Sequence, residues 1–151
     1  LKGIIMEQKQ QAHINISAPN LVNICVDWAE NGELSGRVYH CYSTEPETFS
    51  NLMHLINLMD AFFDRISFPQ ASTKPRYFVK PDEVLGPKPV KSVAQEDVIR
   101  FTGSLATFIT CVKFRQNSAW QGEVFWVEKG EPYRFFSTLE FIKLVDRGLV
   151  K

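Results

Sequence analysis

The chain has 151 residues, 44% of them hydrophobic and 13% aromatic, enough to bury a sizeable core in one domain or two small ones. Seventeen Lys and Arg cancel seventeen Asp and Glu, which removes the general positive field that draws a protein to nucleic acid or anionic membrane and leaves that work to local patches. No run approaches the roughly 20 apolar residues that span a bilayer, no secretory signal pattern opens the chain, and Cys25, Cys41 and Cys111 are odd in number without CxxC spacing. A cytoplasmic protein with free, buried thiols is expected.

Residues 1–11 are expected to be a flexible N-terminal segment. Lys2-Gly3 resembles a translated ribosome-binding sequence, so a bacterial source and a natural start at Met6 are expected. A first unit then covers residues 12–66. His13 to Ser17 alternates in polarity and is expected to form a strand. Val22, Ile24, Val26 and Trp28 alternate with Asn23, Cys25 and Asp27 as a half-buried hairpin arm. The polar turn Ala29 to Glu33 leads to a second arm through Leu34, Gly36, Val38 and His40. Gly36 lies within the apolar face, where a large aromatic such as Trp28 is expected to fill the gap.

Glu45-Pro46 turns the chain into a short strand around Phe49. Asn51 is the expected N-cap of a helix whose apolar stripe runs through Leu52, Leu55, Ile56, Met59, Phe62, Phe63 and Ile66. Residues 67–97 carry Pro69, Pro75, Pro81, Pro87 and Pro89 among basic residues, and missing amide donors predict an extended connector there.

The second unit, residues 98–151, reads as the first one copied. Sliding the chain by 86 positions aligns Ile24 to Asp60 with Thr110 to Asp146 without a gap, and 11 of the 37 pairs are identical, where chance gives roughly two or three. The identities include Cys25/Cys111, Gly36/Gly122, Pro46/Pro132, Phe49/Phe135 and Asp60/Asp146. Phe108 to Phe114 and Trp120 to Trp126 are the matching arms, Arg115 to Ala119 the turn, Trp120 the filler for Gly122, and Ile99 to Gly103 the opening strand. Ser137 and Glu140 have capping-box spacing, with Glu140 expected to reach the Ser137 amide. The expected architecture is α+β: a tandem duplication of an antiparallel hairpin or meander followed by one helix (ββββα twice), helices packed on the sheets and a pseudo-two-fold axis.

Pairing Trp28 with Leu34 sets Asp27 diagonal to Arg37 on the other face of the first hairpin, and Lys113 diagonal to Glu123 in the second. The swapped signs predict direct ion pairs. Tyr39, Cys41, Ile109, Phe125 and Val127 share that face and make it too apolar for water. Two uses are expected for it: the halves pack on each other through these faces, or a homodimer or partner protein does.

Tyr39, Lys113, Arg115 and Phe125 are the candidate binding surface. With Arg134 and the connector lysines the same side chains offer a stacking and phosphate-binding platform for nucleic acid, a lesser expectation because Glu123 and Glu128 balance the charge. His40 and Cys41 are adjacent, so a strand points them to opposite faces and denies them a nucleophile–base bond. His13 and His54 are alternative partners or ligands, and His54 reads as a surface residue of the first helical turn. Asp60 and Asp146, near helix ends that disfavour acid, call for partners in the basic connector or Arg65 and Arg147. Phosphate-loop, HExxH, GxSxG and EF-hand patterns are all missing. The chain therefore reads as a non-catalytic binding or regulatory protein using no cofactor or metal, with a protein partner or itself as the expected contact; nucleic-acid binding is the alternative, and an enzyme with an unrecognised Cys/His site the second alternative.

Overall fold

A computed structural model describes residues 17–69, 90–116 and 119–147. Its elements run β1 (Val22–Glu30), β2 (Glu33–Tyr39), β3 (Glu47–Phe49), α1 (Leu52–Ile66), α2 (Gln95–Val98), β4 (Ala106–Gln116), β5 (Ala119–Trp126), β6 (Glu131–Phe135) and α3 (Thr138–Arg147). The strands make a single six-stranded sheet in the order β3-β2-β1-β4-β5-β6, antiparallel at each junction. This is an α+β fold.

Local chemistry explains the elements. Asn31 and Gly32 take φ 55° and 80° between β1 and β2, the left-handed pair a two-residue hairpin turn requires. Asn51 caps α1 by accepting the His54 amide at 2.8 Å, while His54 Nδ1 accepts the Ser50 amide at 3.1 Å. In α3 the Ser137 hydroxyl accepts the Glu140 amide at 3.1 Å. Glu140 does not reach the Ser137 amide, as its spacing suggested. It reaches one residue further back and accepts from Phe136.

Two hairpins share one register. Val26 opposes Gly36 and Gly36 opposes Phe49; 86 residues later Val112 opposes Gly122 and Gly122 opposes Phe135. Each first arm shifts register between Val26 and Trp28, or Val112 and Phe114. These β-bulges overturn two expectations. Trp28 opposes Ser35, leaving Leu34 to Ala29, and Trp28 is 46% exposed; beyond a bulge the alternation of faces is reset. At Gly122 the ring of Phe135, not Trp120, is the side chain within 3.0 Å of the position a Cβ would take.

The four-strand unit is also corrected. Each half contributes three strands, and residues 99–103 form no strand, because β1 pairs directly with β4 and occupies the ladder a strand upstream of β4 would need. The other expected strand, His13 to Ser17, lies outside the described residues except for Ser17. So do residues 70–89 of the connector, and the described remainder of it includes α2. The halves meet edge to edge through β1 and β4, not face to face as one expectation had it.

One face of the sheet is covered by α1 and α3. The core there gathers Val22, Ile24, Val26, Leu34 and Val38 with Phe108, Val112, Trp120 and Val124, under Leu55, Met59, Phe62, Phe63, Phe141 and Val145. Trp120 is the keystone, its ring edge-on to both Phe63 of α1 and Phe141 of α3 at 5.7 and 5.6 Å. Burial of one such side chain stabilises by about 1.5–3 kcal/mol, more than a cross-strand ion pair at about 1 or less. The aromatic layer therefore dominates the assembly.

Candidate functional site

The opposite face is covered at its centre by the chain itself. Ala18 and Leu21 pack on Ile109, Cys111 and Phe125, with Ile99 and Val127 at the margin. Polar anchors hold this cover. The Asn23 amide donates to the Val98 and Phe101 carbonyls at 2.8 Å each, the Gln95 amide to the Ala18 carbonyl at 3.0 Å, and the Ser92 and Val93 amides to the Cys41 carbonyl. Tyr39 is capped by the Phe101 ring, stacked at 4.0 Å and 2°.

Among the described residues, large side chains of this face are exposed at its two ends, beside the bulges. At the first end Arg37 bonds Asp27 through Nε and Nη2 at 2.8 and 3.0 Å. Nη1 donates to Tyr39 Oη and Nη2 also to the Thr102 carbonyl, and the Ser104 amide donates to Asp27. The hydrogen bond from Arg37 holds the Asp27 carboxyl below its ordinary range. Trp28 stands next to this closed network.

At the second end Lys113 pairs with the buried Glu123. Arg134, opposite Glu123 on β6, is exposed and makes no ion pair among the described residues. Phe114 is 55% exposed and Phe136 62%. Phe114 opposes Gln121, the neighbouring Gly122 opposes Phe135, and Phe136 is the residue that follows β6.

The four residues expected to form one surface are therefore dispersed. Phe125 is buried beneath Leu21, Tyr39 is half-buried under Phe101, and Lys113 lies at the second end. Arg115 is on the opposite face: it is buried against α1, donating from Nε to the Pro69 carbonyl at 2.7 Å and from Nη1 to Asp60 and Asp64 at 3.2 and 2.9 Å. Asp60 also accepts Trp120 Nε1 at 3.2 Å. Its partners thus come from the other half of the chain, in place of Arg65 or the connector. The bulge before Phe114 explains the displacement, since it extends β4 through the residues read as a turn and points Arg115 toward the helices.

Among the described residues the His and Cys side chains do not bond to one another. His40 stacks on Phe62 at 4.1 Å and its Nδ1 accepts the Tyr42 amide at 3.1 Å, whereas Cys41 Sγ faces the Pro19 carbonyl on the other side. Burial pushes the Cys25 and Cys111 thiols up to about 12 and about 11. His54 is spent on the α1 cap, and His13 lies outside the described residues. Among the described residues no group of three or more His, Cys, Asp or Glu side chains is suited to a metal ion, and no helix is long and apolar enough to cross a membrane.

Burial and the nearby Arg65 cation lower the His40 pKa from 6.5 to about 4, so the fold binds this imidazole neutral. A His depressed in the folded state stabilises fully above the unfolded value, and that contribution is lost as pH falls from 6.5 toward about 4. The loss amounts to about 3 kcal/mol at most, from ~1.4 kcal/mol per pH unit. Urea midpoints between pH 7 and pH 4 are expected to fall in the natural protein and to fall less in His40→Phe; equal slopes would contradict the assignment.

Neither a protein-family model, nor a curated protein, nor a solved structure matches this chain.

Proposed function

We propose that the protein is a non-catalytic binding or regulatory protein that acts through protein–protein contacts, made at the open ends of the sheet face away from α1 and α3. The observation that carries this reading is the pair Trp28 and Phe114: large apolar side chains, exposed at matched bulges, each beside a cross-strand ion pair. Aromatic side chains ringed by charge are the groups that dominate binding energy at protein interfaces. A chain that arose by copying one three-strand-and-helix unit would carry two such stations by inheritance, and the shared 86-residue register supports that origin.

The nucleic-acid reading is weakened by the burial of Arg115 and Phe125, two of its intended contacts. The test is affinity capture from source cells with the natural chain and with a Trp28→Ser/Phe114→Ser double variant whose circular dichroism is unchanged. Captured proteins are expected to be lost or reduced at least ~10-fold, since each truncated anchor removes about 1–2 kcal/mol or more. Undiminished capture by the folded variant would remove the reading.

A further inference from the structure

The two stations are equivalent in backbone but not in chemistry. At the first, the charges of Asp27 and Arg37 are consumed by one another and by residues 102–104, and the positions corresponding to Arg134 and Phe136 hold Thr48 and Ser50. At the second, Glu123 is buried and already paired with Lys113. Arg134 is left as a cation with no carboxylate partner among the described residues, on β6 two strands from Phe114 and two residues before Phe136. The Glu140 carboxylate accepts the Phe136 amide as part of the α3 cap.

We infer that this end of the sheet, Lys113, Phe114, Arg134 and Phe136, docks an acidic segment of a partner protein that covers the two exposed phenyl rings. The inference rests on the protein-contact reading above and supplies the chemistry of its partner. Phe114 and Phe136, both more than half exposed, supply apolar contact area beside the Arg134 cation. An unpaired guanidinium at the rim selects for carboxylates, which match its planar donors, and repels basic segments. Charge complementarity of this kind is local, so it operates although the chain as a whole has no net charge.

Photo-crosslinking in source cells tests it, with benzoylphenylalanine placed at position 136 in one full-length chain and at position 28 in another, and the cross-linked peptides sequenced. The expected result is an adduct at 136 to a protein segment with net negative charge, reduced about tenfold by Arg134→Glu and less by Arg134→Thr, the residue found at the equivalent position 48. A neutral or basic peptide, a nucleic-acid adduct, or an adduct indifferent to Arg134→Glu would overturn the inference. Protein adducts at 28 alone would overturn it while leaving the protein-contact reading in place. No protein adduct at either position would remove both.

Discussion

Arg115→Ala is expected to lower the unfolding free energy by about 2–4 kcal/mol, the larger of the effects foreseen for any charged residue here. The side chain is 5% exposed and joins parts of the chain that are distant in sequence: a carbonyl at Pro69, two carboxylates on α1, and the face of Phe63, whose ring centroid lies 5.5 Å from its guanidinium. Truncation strands the buried Pro69 carbonyl acceptor and opens a void beneath α1. Asp60 and Asp64 are about half exposed, so water recovers part of their loss, and the figure stays below that of a fully enclosed pair. For the same reason Asp64→Asn is expected to cost only about 1 kcal/mol. Urea unfolding measures both; a loss under about 1 kcal/mol for Arg115→Ala would show that the tether does not hold the halves together.

Gly122→Ala is expected to cost more than about 4 kcal/mol or to prevent folding. An added methyl would overlap the Cys111 carbonyl oxygen on β4 and press on Val112 Cα and the Phe135 ring, and at Gly36 it would overlap the Cys25 carbonyl in the same way. Backbone atoms of a central strand have nowhere to go without breaking the ladder, so relaxation does not rescue either variant. Gly32→Ala is the control. No atom lies within 4 Å of its Cβ position, but its φ is +80°, so it pays only the left-handed backbone cost of about 1–2 kcal/mol. Thermal denaturation of the three proteins should separate crowding from conformation, with Gly36 and Gly122 grouping together and Gly32 apart from them.

Local interactions were legible in the residue order. Period-two alternation located β1, β2, β4 and β5; the spacing of Ser137 and Glu140 located the start of α3; and the opposed signs of Asp27/Arg37 and Lys113/Glu123 located both ion pairs, because each depends on neighbours within one hairpin or one helical turn. The bulges at Val26–Trp28 and Val112–Phe114 were not legible. A bulge is one residue of slack in a ladder, and it depends on what the strand packs against, not on the composition of the strand itself. That one residue of slack in each hairpin reverses the facing: strict alternation puts Trp28 in the core, where the structure exposes it, and turn chemistry puts Arg115 in a loop, where the structure buries it under α1.

The residue order by itself determined the strands of the two hairpins, the helices α1 and α3 and the matched positions 86 apart, but not α2 or the lack of a strand at residues 99–103, since hydrophobic period, turn chemistry and capping act over a few residues. Only the tertiary structure decided which edges meet and which surface stays open. The union of β1 with β4, the cover of Phe125 by Leu21, and the reach of Arg115 to Asp60 and Asp64 are long-range choices. They are made by the competition to bury apolar area and satisfy every polar group at once, and no window along the chain contains both sides of that competition.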